Sequence, residues 1–210
     1  MTLQVGLVGT DGVVIVGDTW QYVEPQNKSW YGYHASKLRV SDSRRIAVAC
    51  ARDMDTSTRI AEEIFLRLSG DSRDRSREIL DIGTRVANGH DSECLIAFAD
   101  PAPSLYLFLC DKNGNLRCEE VYSCFSIGDA GNPAVFWAMH FYSRTLSVCQ
   151  LTRLAALVVV SAGKLNSGSI GGLEVMTCDQ TGIQRWPRPE NETLESDTQN
   201  LLKQIGELIL

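Results

Sequence analysis

Leu3, Val5 and Leu7 alternate with Thr2, Gln4 and Gly6, and this period of two predicts a β-strand at the start of the chain. Gly9-Thr10-Asp11-Gly12 supplies turn chemistry. The unbroken apolar run 13–16 then predicts a strand buried on both faces. The first residues are therefore expected deep in a sheet, although termini are ordered only when something ties them down. Residues 19–35 are aromatic and polar, which fits a loop or an irregular hairpin. Residues 37–40 and 45–50 predict two short strands joined by Ser41-Asp42-Ser43. Ile60, Ile64, Phe65 and Leu68 recur at helical spacing and predict a helix over 58–68. A second helix is expected over 76–86, closed by Asn88-Gly89. Strands follow at 94–99, 104–110 and 116–125. Asn132-Pro133 predicts a helix start running to about Tyr142, and another helix fits 146–162. Residues 172–178 and 183–186 form a last hairpin over Asp179-Gln180-Thr181-Gly182. Pro187 and Pro189 break the chain, and 198–210 reads as a closing amphipathic helix.

Strands, two helices, strands, two helices and a short hairpin suggest stacked layers rather than alternating βαβ units. The 210 residues suit one domain. With 44% hydrophobic and 22% charged residues, a disordered chain is excluded. Twenty basic residues against 26 acidic ones give a net charge of −6, which argues against a nucleic-acid binder. No unbroken apolar run approaches the ~18 residues a membrane span needs, and no signal peptide is visible. Seven scattered cysteines without C-x-x-C spacing read as reduced thiols in a cytoplasmic protein.

Phosphate-binding loops, G-x-S-x-G elbows and H-E-x-x-H motifs are absent, and His34, His90 and His140 stand apart as ordinary residues. Neither a metal nor a cofactor is expected. What remains is Thr2, directly behind Met1. Removing Met1 would put a hydroxyl and a free α-amine on one residue. An α-amine with an unperturbed pKa of about 7.7–8.0 can take the hydroxyl proton near neutral pH. Such a site needs a cation that keeps the amine neutral and a carboxylate that holds the cation. Lys37, opening the third strand, and Asp18, closing the second, are the candidates.

In Thr2-Leu3-Gln4-Val5-Gly6, Asp11 to Asp18 and Lys37-Leu38, the chain resembles a β-type subunit of the 20S proteasome, among the N-terminal nucleophile (Ntn) hydrolases. Asp55, Ile127-Gly128 and Gly171-Gly172 extend the likeness along nearly the whole chain. The resemblance implies an α+β fold, a four-layer αββα sandwich of two antiparallel sheets, in a single domain spanning 1–210. It implies Thr2 as nucleophile, Lys37 and Asp18 as its tuning pair, and the amide near Ala51 as oxyanion donor. Ala51 replaces the family's usual Gly. Gly128-Asp129-Ala130-Gly131 stands where active subunits carry Ser-Gly, and Ser167 to Gly171 replaces Asp-x-x-Ser-Gly, so Asp129 and Ser167 are possible supporting residues. The resemblance over this length leads us to expect no long propeptide.

The leading expectation is a threonine peptidase cleaving protein or peptide substrates inside a self-assembled homo-oligomeric ring. It is served by an ATP-dependent unfoldase or regulator, with no nucleic acid or membrane as partner. Retention of Met1 would make the copy inert. Two alternatives use the same residues: a non-catalytic structural ring subunit, and a small-amide N-terminal amidohydrolase. The apolar helix segments 135–141 and 151–160 are candidate assembly faces.

Overall fold

The computed structural model describes residues 1–23, 31–68, 74–87, 89–166 and 168–209. Strand β1 (Leu3–Val8) turns through Gly9 to Gly12 into β2 (Val13–Gly17), with the Gly9 N–H donating to the Gly12 carbonyl at 2.8 Å. The alternation in β1 does not separate core from water, because all six residues are buried. Leu3, Val5 and Leu7 pack under a helix layer. The opposite face meets a second sheet, where a Cβ on Gly6 would lie 2.8 Å from Leu105. Polar Gln4 is fully buried there, its amide without a hydrogen-bond partner, an arrangement that costs stability.

A separate two-stranded ribbon pairs β3 (Trp20–Val23) with β4 (Tyr31–His34) antiparallel within the aromatic stretch. Strands β5 (Leu38–Val40) and β6 (Ile46–Arg52) follow, then helices α1 (Met54–Arg67) and α2 (Arg75–Val86). Helix α1 starts four residues before the predicted one. The Asp53 carboxylate caps it by accepting the Thr56 N–H at 2.9 Å, which satisfies a donor that helix geometry leaves open. Asn88, predicted to close the second helix, lies outside the described residues.

Strands β7 (Ser92–Phe98) and β8 (Ser104–Cys110) match expectation. The single strand expected at 116–125 is two: β9 (Leu116–Val121) and β10 (Cys124–Gly128), separated by a bend at Tyr122-Ser123. They belong to different sheets. β9 pairs with β8, whereas β10 crosses to pair with β1, Leu3 opposite Gly128. This crossing brings Gly128 to Thr2.

Helix α3 (Val135–Phe141) has no side-chain N-cap, and Asn132 Oδ1 instead accepts the Ala134 N–H within the preceding turn. Helix α4 (Val148–Leu165) opens on a Ser147–Gln150 capping box. By length and mean hydropathy α4 could cross a membrane, unlike the expectation from unbroken runs, but half of it is buried inside the fold. Strands β11 (Glu174–Asp179) and β12 (Gly182–Arg185) make the last hairpin. Helix α5 (Arg188–Ile209) begins ten residues before the predicted one. Pro189 does not break it, because the first helical turn needs no N–H from proline.

Among the described residues, one sheet has the order β10-β1-β2-β11-β12 and the other β5-β6-β7-β8-β9. Three apolar clusters mark the layers. α3 and α4 cover the first sheet, a middle cluster fills the space between the sheets, and α1 and α2 cover the second. This is the αββα sandwich of antiparallel sheets. Each fully buried Leu, Val or Phe in these clusters contributes roughly 1.5–3 kcal/mol relative to an exposed one.

Candidate active site

At one end of the sandwich, polar contacts tie the sheets together where apolar residues fill the rest. Asp18 follows the last residue of β2, and Lys37 precedes the first of β5, so each hangs from a different sheet. Both side chains are fully buried, and the Lys37 Nζ donates to Asp18 Oδ2 at 2.8 Å. The same Nζ donates to the Trp20 carbonyl at 2.6 Å. Asp18 Oδ1 accepts the Leu3 N–H at 2.8 Å, and the Asp18 N–H returns to the Leu3 carbonyl at 3.1 Å. The residue after Thr2 is thus clamped to the carboxylate that holds the lysine.

Burial pushes the Lys37 ammonium below the ordinary lysine range, while Asp18 and then Glu174 pull it back up. Burial likewise pushes Asp18 up against the pull of Lys37, the Leu3 N–H and the chain's N-terminal amine.

Thr2 is half-buried, and Met1 ahead of it is 61% exposed. The Thr2 carbonyl accepts the Asp129 N–H at 2.7 Å. Gly128 adopts φ +83°, and a Cβ there would stand 2.0 Å from the Thr2 carbonyl oxygen. Only glycine fits, for conformation and for space. The same hypothetical Cβ would lie 3.5 Å from the Ala51 Cβ, which places Ala51 beside the Thr2 seat. Asp129 is oriented in turn: its Oδ2 accepts from Asn132 Nδ2 at 2.9 Å and from Asn166 Nδ2 at 3.1 Å.

Thr2, Asp18, Lys37, Ala51 and Asp129 are therefore gathered at one place. Ser167 lies outside the described residues. Three further residues join them. Glu174, buried at the start of β11, accepts the Ser36 hydroxyl at 2.7 Å and the Lys37 N–H at 3.3 Å, and pairs with Arg185. Glu93 on β7 accepts the Gly128 N–H at 2.6 Å and pairs with Arg52 at 3.0 Å. Asn166 holds Asp129. An acidic residue within an apolar strand, as in Ser92-Glu93-Cys94-Leu95, was a signal available in the sequence. Asn166, at the end of a helix, offered none.

Backbone direction at the end of β6 also matters. The Ala99 N–H donates to the Arg45 carbonyl and the Asp53 N–H to the Asp91 carbonyl. These bonds bracket the β6–β7 ladder, in which Ala51 faces Glu93. Antiparallel alternation then directs the Ala51 N–H toward β7 and the Arg52 N–H away from it. Arg52 has φ +68°, in the left-handed region rare for a residue other than Gly, Asn or Asp.

No protein-family model matches the chain, and no curated protein matches it. Solved structures do. Anbu (ancestral beta-subunit) from Yersinia bercovieri is 16% identical with a TM-score of 0.70, covering 98% of this chain and 97% of that one. An Anbu (Gly-1) mutant from Hyphomicrobium sp. strain MC1 is 15% identical with a TM-score of 0.69, covering 100% and 99%. Anbu from the same strain is 16% identical with a TM-score of 0.67, covering 98% and 97%. These neighbours correct the resemblance to a 20S proteasome β-type subunit: they are Anbu proteins, and at such identity the likeness establishes a shared fold. Of the residues that carried that resemblance, Leu3 to Gly6 and Val13 to Gly17 lie on the β1–β2 hairpin, and others are spread over later elements.

Proposed function

We propose that this chain is an N-terminal nucleophile hydrolase that cleaves amide bonds of protein or peptide substrates, as one domain over 1–210 in a ring of identical copies. The observation that carries the reading is the buried Lys37–Asp18 pair, with Asp18 hydrogen-bonded to the residue next to Thr2. In the structure the α-amine belongs to Met1, so the reaction begins with removal of Met1 by an aminopeptidase. The Thr2 amine then takes the Oγ proton as Oγ attacks the substrate carbonyl carbon. A buried ammonium nearby disfavours a second positive charge and keeps that amine neutral. The resulting oxyanion accepts a hydrogen bond from the turn at Ala51-Arg52, where register favours the Arg52 N–H. The proton passes to the leaving amine, the C–N bond breaks and an ester remains on Thr2. Water, deprotonated by the same amine, hydrolyses the ester and restores the hydroxyl.

Asp129 supports the nucleophile through its backbone contact with Thr2, and Ser167 follows from sequence alone. The exposed face of α3 supports assembly: Phe136, Trp137, Met139 and Phe141 are 46–68% exposed. The other proposed face does not, since Leu151, Leu154 and Val158–Val160 are buried against the sheet. The reduced thiols suit a cytoplasmic site, where an ATP-dependent unfoldase or regulator would deliver substrate.

The test combines intact mass with hydrolysis of a fluorogenic peptide. Protein lacking Met1 should hydrolyse the peptide and lose that activity in Thr2→Ala. Des-Met protein that is inactive, or as active with Thr2→Ala, sinks the reading and favours a structural ring subunit. Hydrolysis of small amides by a monomer would favour the amidohydrolase alternative.

A further inference from the structure

Glu93 has no part in the chemistry above, yet it is placed where the site's two halves meet. It stands on β7 in one sheet and reaches Gly128 on β10 in the other, with its side chain 16% exposed. One oxygen, Oε2, accepts the Gly128 N–H at 2.6 Å, and the other, Oε1, accepts from Arg52 Nε at 3.0 Å. Each contact fixes a backbone segment in the left-handed region. Gly128, at φ +83°, begins the turn whose next N–H, from Asp129, holds the Thr2 carbonyl at 2.7 Å. Arg52, at φ +68°, is where β6 gives way to α1.

Simple alternation places Ala51 and Glu93 on one face of their sheet and Arg52 on the other. The positive φ turns the Arg52 side chain so that it reaches Glu93. Holding a non-glycine residue there costs on the order of 1 kcal/mol or more, and such conformations persist only where surrounding contacts over-determine them. The Glu93 carboxylate supplies such a contact to the Arg52 side chain. Arg52 is itself 47% exposed, so the pair as a surface bridge contributes little to stability. Its consequence is geometric.

We infer that Glu93 is a positioning residue that sets the nucleophile seat against the oxyanion turn, through one carboxylate shared between the Gly128 N–H and the Arg52 side chain. The inference rests on the proposed Thr2 chemistry for its kinetic consequence, but the contact itself can be tested without it. Three substitutions separate its parts. Glu93→Leu removes both contacts. Glu93→Gln keeps an acceptor for the Gly128 N–H and loses the charge. Arg52→Met keeps the carboxylate on Gly128 and releases the turn.

The first readout is the Gly128 amide proton by NMR in the full chain. A short bond to a carboxylate moves it downfield; it should stay there in Arg52→Met, move partway in Glu93→Gln and move fully upfield in Glu93→Leu. The second is the acylation rate of Thr2 by a threonine-directed covalent inhibitor in des-Met protein. Glu93→Leu should slow acylation ~100-fold, as expected for a small misplacement of reacting groups. Glu93→Gln should slow it by about tenfold, the effect of weakening one charged hydrogen bond. Saturation by inhibitor should change little in either, so the loss falls on the rate rather than on affinity. A Gly128 proton unmoved by Glu93→Leu overturns the inference. So does acylation that falls only in proportion to lost stability. If wild-type des-Met protein is never acylated, the proposed hydrolase fails, while the Gly128 proton still decides the contact.

Discussion

At the residue scale, the buried ion pair is costly to break from one side. Asp18 and Lys37 are both withdrawn from water, and the desolvation is offset only while each keeps the other. Breaking such a pair from one side costs about 3–5 kcal/mol, whereas removing both partners costs much less. Asp18→Asn and Lys37→Met should therefore each destabilise the fold by that amount, and the double variant by far less than the sum. Urea unfolding of the four proteins measures the coupling. All three variants should lose Thr2-dependent hydrolysis, including a double variant that regains stability, which separates the pair's chemical task from its structural one.

At the element scale, the junctions around the site decide how it is held. The β6–α1 junction depends on Asp53, whose carboxylate is held below its ordinary pKa chiefly by the Thr56 N–H, with His90 adding to the effect. A depressed carboxylate contributes stability above its unfolded pKa and loses it as pH falls through the folded value. Asp53→Ala should cost about 1 kcal/mol near pH 7, the usual worth of an N-cap. The gap from wild type should close as pH falls below the ordinary ~3.9 of an aspartate; a gap that persists in acid would show that capping is not its origin. The β10–Thr2 junction depends on Gly128. Gly128→Ala should cost roughly 1–3 kcal/mol for the positive φ alone, and the overlap with the Thr2 carbonyl should displace Thr2. Thermal unfolding and Thr2 acylation measure the two effects separately.

At the scale of the whole molecule, the sandwich buries its helices unequally. α4 spends its apolar surface on β1 and β2. α3 leaves a short aromatic ridge outside, with Trp137 and Phe141 stacked at 5.6 Å and Phe136 and His140 at 5.8 Å. Exposed apolar surface of this kind marks an interface. Phe136→Glu combined with Met139→Glu should shift the sedimentation coefficient from an assembly toward a monomer. Neither side chain supports the core, so the melting temperature of the monomer should not fall. An unchanged coefficient would remove α3 from any ring contact.

The sequence by itself determined the first hairpin and most strands, and it singled out Thr2, Asp18 and Lys37 as candidates for the proposed chemistry. Those signals are local: a period of two, an Asp-Gly turn, and a Thr whose hydroxyl lies one carbon from the amine that removing Met1 would free. It misjudged two helix starts and what depends on distant partners. The start of α1 and the run of α5 through Pro189 turned on capping and first-turn geometry that apolar spacing does not report. One apolar stretch became β9 and β10 because a bend let it serve two sheets, which no single-strand pattern encodes. The polar positions of β1 are buried because a second sheet lies over them. Only the tertiary structure brought Glu93, Glu174 and Asn166 to the site, since hydrogen bonds across sheets join residues far apart in sequence. The burial that moves the Lys37 and Asp18 pKa values belongs to the packed fold as well, because desolvation is a property of the surroundings and not of the residue.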